Sequence, residues 1–202
     1  MEPFTTIVLA GGASSRMGRP KALLPFGAET LIERIVRRLA GGSSEIVVVG
    51  GPHVRLPPLP DPIRVVEDEI PLQGPVAGII YGLAAARTEL GFVCGCDHPF
   101  LEPAIGRILA ERARDRDGAV VVSAGVPQPL LAVYRKRIAA IATTMLASGE
   151  RRAARLVELA RLVEVSDEDV LSVDPSGLSL IDIDTPEAYR EALARLDPRA
   201  SR

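Results

Sequence analysis

The chain has 202 residues, 47% of them hydrophobic and 25% charged, with a net charge of −2. That is enough apolar content to bury a full core, and the near-neutral balance excludes a dedicated nucleic-acid binder, which carries a basic bias over its domain. No apolar run approaches the roughly 20 residues that span a bilayer, and two cysteines two positions apart make no disulfide framework.

Acidic Glu2, a short apolar run and an early glycine break are unlike a signal peptide, so the protein is expected to be soluble and cytoplasmic. One domain over residues 1–196 with a tail over 197–202 is the expected organisation. In chain order, residues 7–10 are apolar and read as a buried strand of a parallel sheet. Residues 30–39 put Leu31, Ile32, Ile35, Val36 and Leu39 at helical spacing, and Gly41 and Gly42 stop that helix. Short strands are predicted over 45–49 and 63–66, separated by 51–62, whose prolines bar helix and sheet interior alike. A helix over 76–86, a buried strand over 92–96 and an amphipathic helix over 104–113 come next. Strands over 119–122 and 130–134 precede a helix over 137–146, a further helix over 153–160 and an apolar stretch over 162–165. The chain closes on a strand over 180–183 and a helix over 186–196, with Thr185 as N-cap and Pro186 as first helical residue. Such alternation predicts an α/β fold of three layers, a mostly parallel sheet covered by helices on both faces. Ligands of these sheets sit beyond the carboxyl ends of the strands.

The stretch 7–21, IVLAGGASSRMGRPK, lies where that rule puts a site. Adjacent Gly11 and Gly12 let the backbone turn sharply and approach a ligand without a Cβ in the way. Backbone N–H groups in such a turn can cradle an anion, and Arg16, Arg19 and Lys21 can neutralise it. A strand feeding a basic glycine turn therefore reads as a polyphosphate site. It is neither a Walker loop, since Gly18 is followed by Arg19 and Pro20, nor a dinucleotide fingerprint, since its glycines are adjacent.

LAGGASSRMGRPK resembles the L-A-G-G-x-x-x-R-M-G-x-x-K signature of nucleotidyltransferases of the molybdenum cofactor guanylyltransferase type, whose fold is the Rossmann-like one of nucleotide-diphospho-sugar transferases. The resemblance implies that Leu9, Ala10, Gly11 and Gly12 hold the base and phosphates of GTP. It makes Arg16 and Lys21 catalytic, stabilising charge on departing pyrophosphate. Further motifs extend the likeness to about Ala194. Asp68, after the strand over 63–66, takes a nucleotide contact. Gly74-Pro75-Val76-Ala77-Gly78-Ile79 matches the element lying beside the nucleotide and includes Gly78. Gln128-Pro129-Leu130-Leu131-Ala132-Val133-Tyr134 and Gly149-Glu150-Arg151-Arg152 match elements of the pterin side, which assigns Gln128, Arg151 and Arg152 there.

In Cys94-Gly95-Cys96-Asp97-His98-Pro99-Phe100 an apolar strand ends in a carboxylate, and carboxylate oxygens are what Mg²⁺ prefers. The family holds its metal with this Asp, so Asp97 is expected to bind nucleotide and Mg²⁺ and to be catalytic. Zinc on Cys94, Cys96 and His98 is the competing reading, disfavoured because structural zinc wants four ligands. Buried small apolar groups is the expected role of both cysteines. Asp182 and Asp184 alternate along the strand predicted over 180–183, and Asp184 is well placed as a second metal ligand. The family often has Asn where Asp184 stands, and Asp at that position also occurs in cytidylyltransferase relatives; Gly50 stands where the family often has Asn near the nucleotide. The implied activity is transfer of GMP from GTP to molybdopterin, releasing pyrophosphate. The implied partners are GTP and molybdopterin, with transient contacts to other cofactor-biosynthesis or molybdoenzyme proteins. Same-fold transfer using CTP or a sugar phosphate, and a non-catalytic GTP-binding role, are the alternatives.

Overall fold

The computed structural model describes residues 2–11, 19–51, 54–67 and 74–196. Its centre is a seven-stranded sheet of β1 (Phe4–Leu9), β4 (Glu45–Gly50), β5 (Arg64–Glu67), β6 (Leu90–Gly95), β7 (Gly118–Ser123), β8 (Val126–Arg135) and β9 (Leu162–Ser166). The remaining strands, β2 (Pro25–Phe26) and β3 (Glu29–Thr30), form a separate small hairpin. The order across the main sheet is β5-β4-β1-β6-β8-β7-β9. Every neighbouring pair is parallel except the two that β8 makes, so the sheet is mostly parallel with one reversed strand.

Strand periodicity sends alternate residues to opposite faces. Ile7, Val47, Val49 and Val93 pack beneath α2 (Gly74–Ala85), α4 (Ile138–Ala147) and α5 (Ala153–Leu159). Val8, Val48, Phe92 and Cys94 face α1 (Leu31–Leu39) and α3 (Pro103–Ala113), and α6 (Asp167–Val173) adds Val170 to that side. A smaller third cluster joins Leu24, Phe26, Leu31, Phe100 and Ile183 to Ala192 of α7 (Pro186–Leu196). Three layers result, as the alternation predicts. No helix among the described residues is long and apolar enough to cross a membrane.

Local chemistry explains the boundaries. Thr30 starts α1 with a capping box: its hydroxyl accepts from Glu33 N, and Glu33 Oε2 accepts from Thr30 N at 2.8 Å. Thr185 Oγ1 accepts from Ala188 N at 3.1 Å at the start of α7. The strand predicted over 180–183 does not form. Asp174 accepts from the backbone N–H groups of Ser176 and Ser179, Gly177 turns with φ +65°, and a single 3-10 turn follows over Leu178–Leu180. Residues 181–184 are then extended but pair with no strand among the described residues. Their alternation survives all the same, with Ile183 buried and Asp182 and Asp184 exposed on the other side.

Candidate functional site

Three chain segments meet at the carboxyl end of the sheet. Ala10 N donates to Val49 O at 2.8 Å, and Cys96 N donates to Leu9 O at 3.1 Å, so the exits of β1, β4 and β6 are stitched at one level. A Cβ on Gly11 would lie 2.7 Å from Gly51 N, which is why this exit takes glycine. Above them opens a cleft of about 330 Å³. Leu9, Ala10 and Gly11 line it from β1, Val49 and Gly50 from β4, and Gly95, Cys96 and Asp97 from β6. Gly74, Pro75 and Gly78 of α2 roof it, Leu130 of β8 closes one side, and Lys21, at the start of a 3-10 turn over Lys21–Leu23, also lines it.

Lys21 is the pivot of the charges. Its Nζ donates to Asp97 Oδ2 at 2.8 Å and also to Asp184 Oδ1, joining residues 76 and 163 positions away. The third apolar cluster lies behind all three charges. Leu24 follows Lys21 by one turn, Phe100 follows Asp97 by three residues, and Ile183 precedes Asp184 directly. Ile183 N donates to Asp97 O at 3.0 Å, which fixes residues 181–184 beside the exit of β6. A Cβ on Gly95 would lie 2.1 Å from Asp97 Oδ1, so the bare glycine leaves the space this carboxylate occupies.

Electrostatics follows from that geometry. Burial alone would raise the Asp97 carboxyl, but the charges of His98 and Lys21 outweigh it and hold it below the usual carboxylate range. Burial would likewise lower Lys21, but Asp97 and Asp184 outweigh it and hold the ammonium above its ordinary value. Asp182, unlike Asp97, is raised, by partial burial and then by the charge of Asp184. Cys94 and Cys96 are buried with thiols pushed up by desolvation, and both pack in the larger core cluster as small apolar groups.

Of the residues expected at the site, Leu9, Ala10, Gly11, Lys21, Gly78 and Asp97 line the cleft, and Asp184 reaches it through Lys21. Gly12, Arg16 and Asp68 lie outside the described residues. Gln128 stands at the start of β8, its Nε2 donating to Val126 O. Arg151 and Arg152 follow the turn between α4 and α5, and a Cβ on Gly74 would lie 3.3 Å from Arg151 O. Arg152 is engaged by Glu150, whose carboxyl its hydrogen bonds hold at about 2. Neither guanidinium is among the groups lining the cleft. Leu130 is a wall that the sequence reading did not single out. Its signal was the apolar pair Leu130-Leu131 directly after Gln128-Pro129, which breaks strict alternation.

Residues 6–165 match the model of the MobA-like NTP transferase domain. The chain belongs to that family. It is therefore a nucleotidyltransferase. It is 40% identical over 162 residues to the probable molybdenum cofactor guanylyltransferase of Mycobacterium bovis, covering 77% of this chain and 80% of the relative. It is 33% identical over 182 residues to the protein of the same name from Pelotomaculum thermopropionicum, covering 90% and 88%. Among solved structures it superposes on molybdopterin-guanine dinucleotide biosynthesis protein A from Archaeoglobus fulgidus with TM-score 0.78 and 21% identity, covering 96% and 99%. It also superposes on 2-C-methyl-D-erythritol 4-phosphate cytidylyltransferase from Thermus thermophilus with TM-score 0.71 and 20% identity, covering 96% and 98%. These structural likenesses establish the fold.

Proposed function

We propose that this nucleotidyltransferase moves GMP from GTP to the terminal phosphate of molybdopterin. A phosphate oxygen of the pterin attacks the α-phosphorus of GTP and a new phosphoanhydride forms. The bond to the β-phosphate breaks, and pyrophosphate leaves with the electron pair. The observation that carries this reading is Lys21 held between Asp97 and Asp184 at a cleft lined by the strand exit Leu9-Ala10-Gly11. The names of the relatives supply the substrate pair.

The nucleophile is already an anion, so the chain need offer no general base; positioning and charge neutralisation are the work to be done. The backbone of Leu9, Ala10 and Gly11 offers hydrogen bonds to the base, with Gly12 keeping the loop close. Lys21 and Arg16 meet the charge that builds on pyrophosphate. Asp68 and Gly78 complete the nucleotide contacts, while Gln128, Arg151 and Arg152 serve the pterin side.

A divalent cation suits this donor set. Asp97 and Asp184, whose carboxylates converge on Lys21 Nζ, are the donors offered here, and among the described residues no group of three or more His, Cys, Asp and Glu side chains gathers. Two carboxylates are what Mg²⁺ takes from protein when it keeps waters and phosphate oxygens as its other ligands. Asp97 and Asp184 would hold Mg²⁺, which would supply charge neutralisation to the reacting phosphates. The same reading puts the protein in the cytoplasm, with GTP and molybdopterin as its partners and transient contacts to proteins that supply or receive the cofactor.

The test is pyrophosphate release from GTP, CTP, ATP and UTP in turn, with Mg²⁺ and molybdopterin supplied. Release with GTP alone supports guanylyl transfer. A CTP preference would transfer the mechanism to cytidylyl chemistry, the reading that Asp184 in place of Asn favours. Binding of GTP without release would sink the catalytic reading.

A further inference from the structure

The reversed strand β8 does not run smoothly beside β7. Gly118, Ala119 and Val120 pair with Tyr134, Val133 and Ala132 in order, but Val121 then pairs with Gln128. Pro129, Leu130 and Leu131 thus arch away from β7, although Leu131 keeps its pairing with Cys94 of β6. Proline at the head of the arch has no N–H to give to a ladder, which suits an interruption at this point. The arch carries Leu130 into the cleft, on the side of Asp97 away from Leu9 and Val49.

One side chain ties the arch down. Tyr134 is completely buried in the cluster under α4 and α5, packed with Val120, Ala132, Ile138, Met145 and Leu156. Its hydroxyl donates to Pro129 O at 2.9 Å, five residues back along the same strand. A phenol fixed by its ring against two helices is a rigid post. A hydroxyl in such a place needs its partner, because leaving either group unpaired there is costly.

We propose that Tyr134 is a positioning residue of the active site: through Pro129 it holds the arch that sets Leu130 as the cleft wall beside Asp97, on the side where the acceptor phosphate enters. The proposed base contacts come from the exit of β1, and the wall formed by β8 lies across Asp97 from them, so it touches the acceptor rather than the base. The assignment of acceptor and nucleotide sides rests on the reaction proposed above.

Tyr134→Phe keeps the ring and its packing and removes only the hydroxyl. In the unliganded full chain, amide exchange at Leu130 and Leu131 is expected to quicken about tenfold, with Ala119 and Val120 unchanged. With Mg²⁺, the KM for molybdopterin is expected to rise about fivefold or more, while the Kd for GTP measured by calorimetry stays within about twofold. Leu130→Ala, which trims the wall and leaves the post, is expected to give the same KM change with unchanged exchange at Leu131. Unchanged exchange in Tyr134→Phe overturns the proposal, and so does a lowered melting temperature with an unchanged KM. The exchange measurement uses no substrate. A wild-type protein inert with GTP and molybdopterin would therefore count against the proposed reaction, while exchange at the arch still decides the role of Tyr134.

Discussion

Lys21 is placed by what flanks it rather than by its own side chain. Ala22 and Leu24 are buried on its chain-forward side, and Leu24 N donates to Lys21 O, so the ammonium is delivered to Asp97 and Asp184 from an anchored backbone. Those are the carboxylates a divalent cation would need, and the ammonium already engages both. Lys21→Met should therefore bind Mn²⁺ about tenfold more tightly in the absence of nucleotide, read by the free-ion signal in electron paramagnetic resonance. Turnover should fall in the same variant, because the ammonium would no longer meet the departing phosphates. Equal or weaker Mn²⁺ binding by Lys21→Met would show that the lysine does not compete for the carboxylates. Asp97→Ala should cut kcat by about 10²-fold or more with its circular dichroism and melting profile preserved. A variant that keeps wild-type turnover would remove Asp97 from the chemistry. Lys21 and Asp97 stood out in the sequence through the motifs that carry them, and Asp184 through the alternation of residues 180–184, although the strand expected there does not form. The triangle they make was not, since its sides span 76 and 163 residues.

At the scale of elements, the turn between β7 and β8 carries a correctable strain. Its central residues Ala124 and Gly125 have φ of +49° and +77°, and only the second is glycine. The left-handed conformation costs alanine on the order of 1 kcal/mol, partly offset by its smaller chain entropy in the unfolded state. The Ala124 N–H donates to Asp167 Oδ2 at 2.9 Å, a bond that glycine would keep. Ala124→Gly should stabilise the protein by about 0.5 kcal/mol and raise the melting temperature by roughly 1–2 °C in calorimetry. A fall in melting temperature would mean that the turn tolerates alanine without cost. The turn also marks where pattern reading stopped. Strands and helices with buried periodic faces were recovered to within a few residues, and Thr30 and Thr185 cap where their chemistry says. The direction of β8 could not be read, because a strand buried on both faces has the same pattern whichever way it runs. Helix α6 was missed although Ser166 and Asp169 form a capping box, since seven residues carry too little periodicity to register. The strand predicted over 180–183 failed for the opposite reason: its alternation is real, but one side packs on the third cluster and the other faces the charges.

For the whole molecule, two buried carboxylates, Asp117 and Asp174, tie loops together outside the lining of the cleft. Asp117 accepts from Arg161 N at 2.9 Å and Arg137 Nε at 2.7 Å, joining the entry of β7 to those of β9 and α4. Asp174 accepts from Ser179 N at 2.8 Å and from Ser176, and so shapes the turn that leads to Asp184. Burial would raise both carboxyls, but the donated hydrogen bonds outweigh it and hold both below the usual range. A carboxyl with a lower pKa folded than unfolded binds more protons in the unfolded chain. Its stabilisation is then complete above the unfolded value of about 4 and is lost as pH falls from there through the folded value. The urea midpoint should accordingly be flat from pH 7 to about 5 and drop steeply below about 4. Asp117→Asn and Asp174→Asn should each lower the midpoint at pH 7 and shrink the drop below pH 4, because a neutral side chain has no proton to gain. If either variant kept the full acid slope, that residue would not be a source of it. Asp174→Asn carries a second consequence that Asp117→Asn lacks: by loosening the turn before residues 181–184 it should also weaken Mn²⁺ binding through Asp184, while Asp117→Asn leaves that binding unchanged.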